Sequence, residues 1–221
     1  MQTDLAEELT SGTYTLADAA RYTAAHYNTT RRWLRSRASL YAQTTHQAEN
    51  CVSTPVSFLE LVELKLVRDL REAGLSLQKI RLARERMCED FGWDYPLAQG
   101  QLLTDGRDIF VRIADTIGDA QLLEIFRSQY YHKQVLLPFL KQLDYQGTTG
   151  VATRWRPGEN ISIDPFVHMG RPVVSATGVA TSVVYDAWVA HERETAMVAD
   201  LFGLENAQVL SAVQYETALM N

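Results

Sequence analysis

The chain has 221 residues, 46% of them hydrophobic and 22% charged, with a formal net charge of −6. That composition excludes a disordered chain, and the length suffices for one large domain or two to three small ones with cores of their own. Net acidity argues against indiscriminate coating of nucleic acid but permits a local site for it.

No apolar run approaches the roughly 20 residues needed to span a bilayer. The opening residues MQTDLAEELT are acidic rather than a basic leader with an apolar core. The expected location is the cytoplasm, with no membrane partner. Cys51 and Cys88 form neither a disulfide framework nor a paired ligand spacing, so reduced thiols are expected.

Residues 1–12 carry no pattern that suggests chemistry. Residues 14–37, YTLADAARYTAAHYNTTRRWLRSR, have the outline of two short helices joined by a tight turn. Thr15 stands at an N-cap position with Asp18 three residues on, and Leu16, Ala19, Ala20 and Thr23 recur at helical spacing as a narrow small-residue face. Asn28 or Thr29 is the expected cap of the second helix, and Trp33 and Leu34 are its expected core anchors. Between residues 14 and 40 the basic residues are Arg21, Arg31, Arg32, Arg35 and Arg37, and the only acid is Asp18. A basic island in an acidic protein is an electrostatic footprint for phosphate. The DNA-contact candidates are therefore Asn28, Thr29, Thr30, Arg31, Arg32 and Arg35.

Residues 38–54 suit a small hairpin or wing, with Leu40, Tyr41 and Val52 as buried points. Ser57 and Glu60 form a capping box that opens a periodic helix with Leu59, Val62, Leu66 and Leu70 on its core face. Gly74 is expected to end it and Ser76 to cap the next helix, whose inner residues are Ile80, Ala83, Arg84 and Met87, up to a break at Phe91-Gly92. Farther on, residues 101–104 and 107–113 flank Asp105-Gly106, a dipeptide suited to a two-residue hairpin turn. Residues 118–143 are expected to be helical, interrupted at Pro138. Tyr130, Tyr131 and Tyr145 are read as core or interface. A strand is expected over residues 151–155.

The last sixty residues predict strands at 161–165 and 170–174. Thr181 or Ser182 is the expected cap of a helix reaching Trp188, and a second and third helix should cover 195–202 and 205–220. From residue 161 onward the basic residues are Arg171 and Arg193, against Asp164, Asp186, Glu192, Glu194, Asp200, Glu205 and Glu216. Such a segment repels phosphate and suits a protein partner better than DNA. The contact residues within 161–221 are not legible, although the spacing of Trp188, Val209 and Val213 favours core. The five histidines are scattered with no helical metal pair, and neither a phosphate loop nor a nucleophile elbow occurs, so no metal, no cofactor and no catalysis are expected.

Two resemblances follow from these residues. The run FLELVELKLVRDLREAGLSLQKIRL, with Leu70, Arg71, Glu72, Ala73, Gly74, Leu75, Ser76 and Leu77, resembles the DNA-binding head of the MerR regulators over residues 14–90. Gly92, Trp93, Tyr95 and Pro96 interrupt the long dimerising coiled coil usual there. Ile161, Asp164, Pro165, Gly170, Arg171, Pro172, Val173, Thr177 and Val179 are similar to a bacterial family of VapB-type antitoxins, often encoded beside PIN-like ribonuclease toxins. That family usually has glycine and arginine around its threonine, where this chain has Ala176 and Gly178.

The expected architecture is α+β and mainly α-helical. It comprises an N-terminal winged helix-turn-helix over residues 14–90, a mixed α/β connector over 93–160 that helps to dimerise the chain, and a small helix-turn-helix-like module over 161–221. The function implied is that of an antitoxin which neutralises a PIN-like ribonuclease and, as a homodimer on operator DNA, represses its own operon. The alternative is a one-component MerR-like regulator responding to a small effector.

Overall fold

The computed structural model describes residues 9–35, 55–127, 131–147 and 150–220. It is α+β and mainly helical, and it divides into two compact units, Leu9–Ala152 and Thr153–Asn221. The expected wing at 38–54, with Cys51, and the expected core role of Tyr130 lie outside the described residues.

The first unit is built around one helix. Strand β1 (Gly12–Tyr14) pairs antiparallel with β2 (Val56–Ser57), matching Gly12 to Ser57 and Tyr14 to Val56. Gly12 is required by this contact, because a Cβ there would stand 2.7 Å from Pro55 Cβ. β1 leads into α1 (Leu16–Tyr22) and then α2 (Tyr27–Arg35), while β2 opens directly into α3 (Phe58–Glu72). The Ser57 hydroxyl accepts from Glu60 N–H and the Glu60 carboxylate accepts from Ser57 N–H, closing the expected capping box.

Helix α3 is buried on nearly every side from Phe58 to Val67, which places it in the middle of its unit. Burying each large side chain there contributes about 1.5–3 kcal/mol relative to exposure. Gly74, at φ 96°, ends the segment, and Ser76 accepts from Lys79 N–H to cap α4 (Leu77–Phe91), with Ile80, Ala83, Arg84 and Met87 buried as expected. α4 stops at Gly92, which takes a left-handed conformation.

A short 3₁₀ turn (Pro96–Ala98) precedes α5 (Gln101–Ile117). The expected hairpin at Asp105-Gly106 is not there, since α5 runs straight through both residues. Leu102, Gly106, Ile109, Phe110 and Ile113 are buried at helical spacing, and that longer period prevails over the local turn preference of one Asp-Gly pair. Phe110 packs on Phe126 of α6 (Ala120–Arg127), with ring centroids 4.6 Å apart. A π-helical turn (Tyr131–Leu136) and the short α7 (Leu137–Leu140), with Pro138 in its first turn, then lead to β3 (Leu143–Tyr145). The Tyr145 hydroxyl donates to the Leu140 carbonyl, and burial raises its pKa.

Strand β4 (Ala152–Gly158) carries the chain into the second unit, where β5 (Ile161–Ile163) and β6 (Val173–Val174) continue an antiparallel meander, Trp155 facing Ile163 and Ile161 facing Val174. Three helices follow: α8 (Thr181–Ala190), α9 (Thr195–Phe202) and α10 (Asn206–Met220). Ile161, Val174, Val184, Val198, Ala199, Leu204, Val209, Ala212 and Val213 form one core, with Trp188 and Phe202 packed at its edge. Neither Thr181 nor Ser182 caps α8, because the cap position is Ala180. Thr181 is instead a buried first residue whose hydroxyl donates to Glu216 Oε1 at 2.5 Å, tying the start of α8 to α10. No helix among the described residues is long and apolar enough to cross a membrane.

Candidate nucleic-acid interface

The α1–α2 pair is held from both ends. The Thr15 hydroxyl accepts from Asp18 N–H at 3.1 Å, and Asp18 accepts from Thr15 N–H at 3.0 Å, so the predicted cap of α1 is present. Ala19, Ala20 and Thr23 are buried, as the small-residue face requires. At the turn, Thr23 Oγ1 donates to the Ala19 carbonyl at 2.6 Å, and the Thr23 carbonyl accepts from Arg68 of α3 at 3.2 Å. Ala24 takes φ 50°, a left-handed conformation that disfavours any Cβ.

Helix α2 begins earlier than the expected caps Asn28 or Thr29. The His26 carbonyl accepts from Thr29 N–H and Thr30 N–H at 2.9 and 3.0 Å, and His26 Nδ1 accepts from Asn28 N–H at 3.3 Å. An imidazole nitrogen thus stands where a hydroxyl or amide oxygen was expected, and the helix starts at Tyr27. Neither the histidine cap nor the Arg68 brace was found from sequence. Arg68 pairs with Glu72 at the i,i+4 spacing of an ordinary solvated pair, which hides its second bond to a residue 45 positions away.

The six candidate contact residues fall into distinct environments. Asn28 and Arg32 are exposed, while Thr29 and Arg31 are half-buried. Thr30 is fully buried, and its hydroxyl donates to the His26 carbonyl at 3.3 Å, so its side chain serves the helix start. Trp33 and Leu34 are buried as core anchors. Arg35 ends the helix, and its side chain lies outside the described set. Asn28, Arg32 and Arg35 stand at i, i+4 and i+7, which is one helical face. Arg21 of α1 is also exposed. A helix with its apolar edge buried and Asn28 and Arg32 exposed along the other is suited to hydrogen-bonding phosphate oxygens or base edges.

Within the first unit, Glu63 of α3 and Arg84 of α4 are 1% and 4% exposed, with Glu63 Oε2 accepting from Arg84 Nε at 3.0 Å. Glu63 Oε1 accepts from Leu97 N–H at 2.9 Å, and Arg84 Nη2 donates to the Asp94 carbonyl at 2.7 Å. Cys88 is half-buried, and burial raises its pKa, with Arg84 partly offsetting the effect. Among the described residues no group of three or more His, Cys, Asp or Glu side chains is placed to hold a metal ion.

In the second unit, several residues that carry the antitoxin resemblance shape turns. Asp164 Oδ1 accepts from Phe166 N–H and Oδ2 from Arg154 Nε, both at 2.9 Å. Gly170 has φ 73°, and the Pro172 carbonyl accepts from Thr181 N–H at 3.0 Å. Thr177 Oγ1 donates to the Val174 carbonyl at 2.9 Å and accepts from Val179 N–H. Ala176, which stands where the resembled family has glycine, takes φ 65°, a left-handed conformation that glycine adopts at no steric cost.

No family model matches the chain, and no curated protein matches it. Among solved structures it is similar to Rv2018 from Mycobacterium tuberculosis, with a TM-score of 0.73 and 23% identity, covering 92% of this chain and 97% of that one. At that identity the likeness establishes a shared fold.

Proposed function

We propose that this chain is the antitoxin of a type II toxin-antitoxin module. In this reading the first unit binds operator DNA as a helix-turn-helix, and the second engages a PIN-like ribonuclease. The observation that carries the proposal is the contrast in surface charge between the α1–α2 pair of the first unit and the helices of the second. Arg21 and Arg32 are exposed on the short helices of the first unit, whereas Asp186, Glu192, Glu194, Asp200 and Glu205 are exposed along the helices of the second. An arginine-bearing helix attracts phosphate, and a helical surface dominated by carboxylates repels it.

Roles follow residue by residue. Arg31, Arg32 and Arg35 neutralise phosphate or read base edges, and Asn28 offers an amide to adenine or phosphate. Thr30 contributes through the helix start it ties down rather than by contact. One short helix reads too few base pairs to be specific, so the chain acts as a homodimer on two half-sites.

The test is growth of cells that express the product of the neighbouring gene, which this reading requires to be a PIN-like ribonuclease, with and without the full chain. Restored growth that depends on the chain is the expected result. Unchanged toxicity with a soluble, well-expressed chain would refute the antitoxin reading and leave a transcription regulator.

A further inference from the structure

We infer that the exposed face of α9 is the surface on which the ribonuclease docks, and that it fits an apolar pocket rimmed by lysine and arginine. The inference rests on the antitoxin reading. Val198 and Ala199 of α9 turn into the core, leaving Met197 at 50% and Leu201 at 58% exposure. Those two side chains are one turn apart on the same face. Glu194 and Asp200, both exposed, flank the pair.

The charge around this face is mainly negative: Glu192, Glu194, Asp200 and Glu205 are exposed there, against Arg193. Neither α9 nor α10 contains a lysine or arginine. The preceding cation, Arg193, lies over the Trp188 ring at 5.5 Å. An apolar pair edged mainly by carboxylates leaves unsatisfied both the water-exposed Met and Leu surface and the net negative field, and a partner with a basic rim relieves both. A second copy of this chain fits poorly, because a two-fold contact centred on Met197 and Leu201 would bring Glu194 and Asp200 toward carboxylates of their own kind. A ribonuclease fits well, because a cleft that holds RNA must line its path with cations.

The helix is also fixed in advance. Glu192 and Arg193 take φ 54° and 69° in the α8–α9 turn, Arg193 N–H donates to the Trp188 carbonyl at 2.8 Å, and Trp188 Nε1 donates to Thr195 Oγ1 at 3.3 Å. A face already held in its bound shape loses little conformational freedom on docking.

The experiment is titration of the full chain with the purified product of the neighbouring gene, which the antitoxin reading requires to be a PIN-like ribonuclease, at two salt concentrations. Met197→Asp with Leu201→Asp should weaken binding by about thirtyfold, the scale of a lost interface anchor. Glu194→Lys with Asp200→Lys should weaken it and flatten its salt dependence while burying no new group. Both variants should still unfold cooperatively, because all four positions are exposed and an unfavourable charge at a helix end costs only a small part of a domain's stability. If the parent binds and either variant binds with the parent's affinity, the docking surface lies elsewhere. If the parent does not bind, the antitoxin reading falls and this inference with it. If the first variant instead dissociates a homodimer in sedimentation, a second copy covers the face and the inference is overturned.

Discussion

Replacing Glu63 with Ala should cost more stability than any single surface change, because it strands two buried donors together. Arg84 Nε, at 3.0 Å, and Leu97 N–H, at 2.9 Å, both lose their acceptor. Arg84, at 4% exposure, cannot recover the loss by turning to water. Its bonds to the Asp94 carbonyl and to Cys88 Sγ remain, but neither replaces the carboxylate that faces its Nε. Breaking a buried pair by removing one partner costs roughly 3–5 kcal/mol, a large share of the 5–15 kcal/mol that typically holds a domain folded. Glu63→Gln, which keeps one acceptor oxygen and turns an amide NH2 toward the other donor, should cost less than Glu63→Ala but remain destabilising. Replacing both partners with apolar residues of similar volume should cost less than Glu63→Ala alone. Urea unfolding followed by circular dichroism gives these differences, and amide exchange along α3 and α4 locates them. A Glu63→Ala loss below about 1 kcal/mol, the scale of an ordinary exposed pair, would refute the reasoning.

Two alanines and one carboxylate give further tests. Ala24 at φ 50° and Ala176 at φ 65° each occupy a left-handed conformation, so Ala24→Gly and Ala176→Gly should each stabilise by about 1 kcal/mol, measured by thermal unfolding. The Lys79 ammonium donates to Asp119 at 2.9 Å and, with the Leu122 N–H, holds that carboxyl below its ordinary value. Its contribution is present above the unfolded carboxylate pKa and is lost as pH falls through the lower folded one. Titration by NMR should show Asp119 returning toward its ordinary value in Lys79→Met, and an unmoved midpoint would assign the shift elsewhere.

Local capping and long periodicity were legible in the sequence. Thr15 with Asp18, Ser57 with Glu60, Ser76, Gly74 and Gly92 all mark the ends they were expected to mark. The helix, turn, helix order of 195–220 was also read correctly, because Gly203 stands in a left-handed turn between two apolar runs. Val209 and Val213 are core as their spacing implied, while Trp188 is only half-buried and its indole N–H bonds Thr195. The failures have one cause. Asp105-Gly106 was read from two residues when the repeat from Leu102 to Ile113 decided the element. Thr181 was read as a cap because its partner, Glu216, stands 35 residues away. In the candidate interface the arginines were visible as a charge cluster, but the burial of Thr30 and the braces from His26 and Arg68 depend on tertiary neighbours that no short window contains.

The central claim is that α2 places its arginines on operator DNA. Fluorescence anisotropy of labelled promoter DNA with the full chain, over a series of salt concentrations, tests it most directly. The account predicts saturable binding by a homodimer that weakens as salt rises, with a shallower salt slope and lower affinity when Arg31, Arg32 and Arg35 are together replaced by Ala in a chain that still unfolds cooperatively. The same affinity and the same slope in that triple variant would contradict it.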